Sequence, residues 1–177
     1  MKKLILLLSL LAGAAAPVVA QVCDHVDVKK DAFTGKAIRT GRVIVGNARM
    51  RWVVNINQSD GKTTMLWEIA VDGELNQALP TGTKLMLKLD NGKVLDFATI
   101  EPTAPVTKAF ATTAVALVFS TLNLKFELSK EDLKGLSSGV ITDIKLDVPG
   151  LTVKYPKLKG GQVNRVADIA DCLLYTY

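Results

Sequence analysis

The sequence predicts a mainly β fold with a minor α component. The expected form is an antiparallel β-sandwich or small closed sheet of about eight strands, with a short helix after the long central strands and a C-terminal helix. Three observations predict it. Apolar residues recur at every second position in several runs, as in Met50, Trp52, Val54 and Ile56. Asp60-Gly61 and Asn91-Gly92 stand between such runs, where a tight hairpin turn needs positive φ. The connections are mostly of hairpin length, which suits antiparallel strands, whereas parallel strands need long crossovers.

The elements follow in chain order. Val22 to Lys29 alternates weakly, and Ala32 to Lys36 reads as a turn before a strand over Ala37 to Val45. The run ending at Ile56 is a half-buried strand, and Asp60-Gly61 turns it into a return strand over Met65 to Val71, ended by Asp72-Gly73. Leu85, Leu87 and Leu89 alternate with Lys84, Met86, Lys88 and Asp90 up to Asn91-Gly92, and Lys93 to Ile100 forms the other half of that hairpin. Pro102 and Pro105 make 101–106 a connection. Phe110 to Leu128 supplies one or two strands, with Leu122, Leu124, Phe126 and Leu128 on one face. Ser129 caps a short helix, with Asp132 three residues on and Leu133 and Leu136 as apolar contacts; Gly139 stops it. Val140 to Val148 alternates again, Pro149-Gly150 ends it, and Leu151 to Tyr155 is a short strand. Over Gln162 to Leu174, Val163, Val166, Ala167, Ala170, Leu173 and Leu174 form one helical stripe.

Residues 1–20 read as an export signal. Lys2 and Lys3 form the basic start, Leu4 to Leu11 the apolar core, and Val18-Val19-Ala20 the cleavage site. The apolar core is shorter than the about 20 residues of a membrane span. Cleavage after Ala20 leaves residues 21–177 as a single β-rich domain. Of the 22 basic residues, Lys2 and Lys3 are lost, and 20 remain against 17 acidic ones, a charge of +3. That modest charge and the export signal argue against nucleic acid as a partner. Ala109 to Leu124 is uncharged, yet it holds Thr112, Thr113, Ser120, Thr121 and Asn123, so no membrane span is expected in the mature chain.

The chain has two cysteines, Cys23 and Cys172, near opposite ends of the mature protein. In an oxidising compartment they are expected to pair. Such a bridge closes a loop worth about 4–5 kcal/mol in the chain-entropy account. Cys23-Asp24-His25-Val26-Asp27 also contains metal-ligand types. Strand alternation puts only Cys23, His25 and Asp27 on one face, without the second spaced pair that zinc sites use. No metal or cofactor is expected.

Catalysis has little support in the residues. His25 is the single histidine, and the nucleophile elbow Gly-x-Ser-x-Gly is absent. Carboxylates such as Glu68, Glu74, Glu101 and Glu127 are present, but nothing selects a pair for glycoside hydrolysis. Lys157, Lys159, Gly160 and Gly161 precede the final helix and form a weak anion-binding candidate, since free backbone N–H groups at a helix start favour anions. The alternation of Leu173, Tyr175 and Tyr177 at the C-terminus keeps a small outer-membrane β-barrel as an alternative.

Two segments, Asp31-Ala32-Phe33-Thr34-Gly35-Lys36 and Phe126-Glu127-Leu128-Ser129-Lys130-Glu131-Asp132-Leu133, resemble patterns of uncharacterised exported bacterial proteins of mostly β structure. The resemblance rests on a turn and a helix cap. It implies an exported β-rich fold and carries over no functional residue. The expectation is therefore a periplasmic or extracellular, non-enzymatic domain with a binding or envelope-structural role, its partner an envelope component or another protein. A secreted hydrolase is the third reading.

Overall fold

The structure is a computed structural model that describes residues 23–46, 51–111, 116–148, 151–156 and 161–175. These residues form ten strands and two helices: β1 (Val26–Lys30), β2 (Ala37–Gly46), β3 (Arg51–Ser59), β4 (Lys62–Asp72), β5 (Lys84–Leu89), β6 (Val94–Ala98), β7 (Val106–Ala111), β8 (Ala116–Leu128), α1 (Lys130–Ser137), β9 (Ile141–Val148), β10 (Leu151–Pro156) and α2 (Gly161–Tyr175). Ten strands exceed the expected eight or so. The chain after Pro105 supplies two paired strands, β7 and β8, and the short segment after Gly150 pairs along its full length with β9.

The strands form two antiparallel sheets. One has the order β1-β2-β3-β4-β8-β7 and the other the order β10-β9-β5-β6. Each has two free edges, so among the described residues neither sheet closes on itself. The sandwich expectation holds, and the closed sheet is corrected. The C-terminal alternation that kept a membrane barrel in view is also corrected, because Leu173 and Tyr175 lie in α2 and not in a strand. Tyr177 lies outside the described residues.

One core joins the sheets. Trp52, Val54 and Ile56 of β3, Met65, Trp67 and Ile69 of β4, and Leu122, Leu124 and Phe126 of β8 come from the six-stranded sheet. Leu85, Leu87, Phe97, Ile144 and Leu146 come from the four-stranded one. Phe97 meets Phe126 edge-on across the gap, with ring centroids 6.1 Å apart. Trp52 and Trp67 meet edge-on within one sheet at 5.7 Å. Each large side chain buried this way stabilises the fold by about 1.5–3 kcal/mol.

The two hairpin turns differ in kind. In the β3–β4 turn Asp60 and Gly61 both have positive φ, 53° and 74°, as a tight two-residue turn requires. Asn91-Gly92 was expected to do the same. Only Gly92 has positive φ there, 83°, and its N–H donates to the carbonyl of Leu89 at 3.0 Å. This is a longer loop with glycine in its last, left-handed position. Asn91 keeps ordinary φ because its side chain is engaged. Oδ1 accepts from the Lys93 N–H at 2.9 Å, and Nδ2 donates to the Ser138 carbonyl at 2.9 Å.

Both helices sit at the end of the sandwich where β8 finishes. Ser129 and Asp132 form the expected capping box on α1, whose Leu133 and Leu136 are buried. The helix ends at Ser138 and not through left-handed geometry at Gly139. Gly139 is small for another reason: a Cβ there would lie 2.6 Å from Asp90 Oδ1. On α2 Val166, Ala170 and Leu173 of the expected stripe are buried, Ala167 and Leu174 are half-buried, and Ile169, which the expected stripe left out, is buried as well. The helix packs on α1 and on β2, where Ile169 fills the space that a side chain at Gly41 would occupy. No helix among the described residues is long and apolar enough to cross a membrane.

Candidate functional site

The two outward sheet faces differ in chemistry. On the four-stranded sheet the outward residues include Lys84, Lys88, Asp96, Asp143, Lys145 and Asp147, and Lys145 pairs with Asp147 at 3.1 Å. Among the described outward residues, Met86 and Val94 are the large apolar ones. The six-stranded sheet presents cross-strand rows instead. Register places Arg42, Asn55, Leu66 and Lys125 in one row and Ile44, Val53, Glu68 and Asn123 in the next. A third row holds Thr40, Asn57, Thr64 and Glu127.

This face mixes apolar and amide groups. Ile44 is exposed, whereas Val53 is only 4% exposed although its strand position points outward. Asn55 and Asn57 are half-buried and Asn123 is exposed. Each amide offers both a donor and an acceptor, and Arg42 adds a fork of donors. These groups stand in rows across four neighbouring strands. Glu68 and Glu127 are two rows apart, roughly 13 Å along the strands. That exceeds the roughly 5–9.5 Å separation of a glycosidase pair.

Cys23 and Cys172 form the expected disulfide, with Cα atoms 5.3 Å apart. Cys172 is buried in the last turns of α2, so the bridge fixes that helix to the segment leading into β1. With the Cys23 sulfur bonded to carbon and sulfur only, it is not a thiolate ligand. Asp24, His25 and Asp27 are exposed, and among the described residues no cluster of three metal-ligating side chains occurs. Lys157, Lys159 and Gly160 lie outside the described residues, and Gly161 is the first residue of α2.

A second anchor on α2 escaped the sequence reading. Gln58 is buried, and its Nε2 donates to the Leu173 carbonyl and to Thr63 Oγ1, both at 3.3 Å. Its Oε1 accepts from Arg39 Nη1 at 3.4 Å. The available signal was a glutamine at the inward position of the series Trp52, Val54, Ile56. A polar residue in a core register needs buried partners.

The loop between β1 and β2 is tightly strapped. Asp31 Oδ1 accepts from the N–H of Phe33 at 3.0 Å, the N–H of Thr34 at 2.7 Å and the Thr34 hydroxyl at 2.9 Å. Across the loop the Asp31 N–H donates to the Lys36 carbonyl, and the Gly35 N–H to the Asp31 carbonyl. Lys36 Nζ pairs with Asp60 of the neighbouring turn at 2.8 Å. At the tip Phe33 is 99% exposed. No protein family, curated protein or solved structure matches the chain.

Proposed function

We propose that the chain is an exported, non-enzymatic domain that acts by binding, or by holding together components of a cell envelope. The observation that carries this reading is the outward face of the six-stranded sheet, where amide and apolar side chains stand in cross-strand rows beside a few charges, set against the more heavily charged face of the other sheet. Two features support the export half. The disulfide between Cys23 and Cys172 suits an oxidising compartment, and residues 1–20 carry the signal pattern.

Fractionation tests export. The disulfide-bonded protein should appear in the periplasm or culture fluid and begin at Gln21. A reduced protein retaining Met1 to Ala20 in the cytoplasm overturns it. Retention of envelope components on immobilised protein tests binding. Leu66→Lys and Ile44→Lys should abolish that retention without lowering the unfolding midpoint. Equal retention by both variants overturns the assignment to this face.

A further inference from the structure

We propose that the outward face of the six-stranded sheet closes on the same face of a second copy of the chain. The inference rests on the reading that this face is the binding surface, and it names the partner. A symmetric pair needs a surface that is complementary to itself. On β4, Lys62, Thr64, Leu66 and Glu68 share the outward side, because Thr63, Met65, Trp67 and Ile69 are buried. A two-fold axis can lie in the face, across the strands, midway between the Thr64 and Leu66 rows. Each strand then runs antiparallel over its own copy. Lys62 faces Glu68 of the second copy on β4, and Glu127 faces Lys125 on β8. On β2, Ile38 faces Ile44, and on β3, Asn55 faces Asn57 with donors and acceptors on both sides.

Charge sets this axis apart. An axis along the strands, between β3 and β4, would lay Arg42 over Lys125 and Val53 over Glu68. An axis on either row would lay Lys125 on Lys125 or Glu127 on Glu127. One step further, Leu66 meets Glu68 and Lys125 meets Asn123, so neither charge finds its opposite. Like charges brought face to face oppose association, and the chosen axis brings none together in these rows. Lys62 and Glu68 are both exposed, and among the described residues neither has an ion-pair partner within the chain. Lys125 already pairs with Glu101, so the β4 pair is the cleaner probe. Sheets packed face to face keep their strands within about 30° of one another, which this arrangement allows. From Ile38 to Ile44, across β1, β2, β3, β4 and β8, the face measures about 20 by 24 Å, roughly 500 Å² in plan. That is the small end of specific interfaces, so a reversible dimer is expected.

Sedimentation equilibrium of the oxidised protein should show a dimer that dissociates on dilution. Glu68→Lys alone and Lys62→Glu alone should each weaken association about ten-fold or more, because symmetry presents the like charges twice. Their unfolding midpoints should stay unchanged. Mixing the two variants should restore association as a heterodimer, since each supplies the charge that the other lacks. Both exchanges in one chain should restore it as well. Lys88→Glu, on the other sheet, should associate as the unmodified protein does. A monomer at every concentration, a dimer indifferent to Glu68→Lys, or no recovery in the mixture overturns the proposal. If the chain stays monomeric while Leu66→Lys still abolishes retention of envelope components, the face binds something other than its copy, and this proposal alone falls. If the exchange pattern holds while Leu66→Lys leaves that retention unchanged, the second copy stands and the envelope reading falls.

Discussion

At Gly92 the backbone has φ of 83°, a region that β-branched residues resist. Nothing stands within 4 Å of where a Cβ would lie, so the expected penalty is conformational and not steric. Gly92→Val should destabilise the fold by more than about 1 kcal/mol. An unchanged denaturation midpoint would show that the loop adapts. Asp31 offers a test through pH. The Thr34 backbone N–H first, then its hydroxyl and the Phe33 N–H, hold the carboxyl below its ordinary value of 3.8. Because folding lowers this pKa, the carboxylate's stabilising contribution is complete above 3.8 and is lost as pH falls through the lower folded value. NMR titration should place the Asp31 inflection below 3.8, with the Phe33 and Thr34 amide shifts moving together with it. An inflection at or above that value would mean that the strap is not formed in solution.

At the scale of elements, α2 is held by three kinds of contact. Its apolar stripe packs on β2 at Gly41, Gln58 bonds the Leu173 carbonyl, and Cys172 is bridged to Cys23. An isolated helix of its length is marginal in water, so it depends on these contacts. Cys172→Ser should lower stability by about 2–5 kcal/mol, the usual range for losing a native bridge. Hydrogen exchange should rise in α2 before it rises in β4 and β8. Equal exchange in oxidised and mutant proteins would mean that packing and Gln58 suffice. The edges of the sheets are guarded as well. β1 carries Lys29 and Lys30, β6 carries Asp96, β7 carries Lys108, and β10 carries Lys154 and ends at Pro156. Charge and proline on edge strands discourage pairing with other chains.

For the whole molecule, the sequence made strand identity legible and strand partnership illegible. Alternation in Met65 to Val71 and Leu122 to Leu128 shows because one face of each strand is buried. That these two strands pair is not written locally, since about fifty residues and the β5–β6 hairpin lie between them. Sandwich and closed sheet share the same alternation, so sequence left both open. The Asn91-Gly92 signal marked a real turn but misjudged its class, because the use of the Asn91 side chain depends on a distant carbonyl at Ser138. The disulfide was readable from two cysteines and the signal-like pattern of residues 1–20. The sheet face was not, because its rows exist only once four strands are in register. The loop at Asp31 was recognised as a turn, while the display of Phe33 depends on the folded surroundings.

The bridge between Cys23 and Cys172 also determines how the molecule answers mechanical tension. The two cysteines are 149 residues apart in sequence, yet the covalent path between them is a single pair of sulfur atoms. A pull on the two ends of the chain therefore bypasses both sheets, and the strands bear almost none of it. The stored contour is about 500 Å at 3.3–3.6 Å per extended residue. Force spectroscopy of the oxidised protein, tethered at its ends, should show no lengthening step of that size. The reduced protein should release nearly all of it. A long step in oxidised protein would mean that the bridge is open. A domain wired this way behaves as an inextensible link, keeping its length fixed even where heat or denaturant has loosened its core.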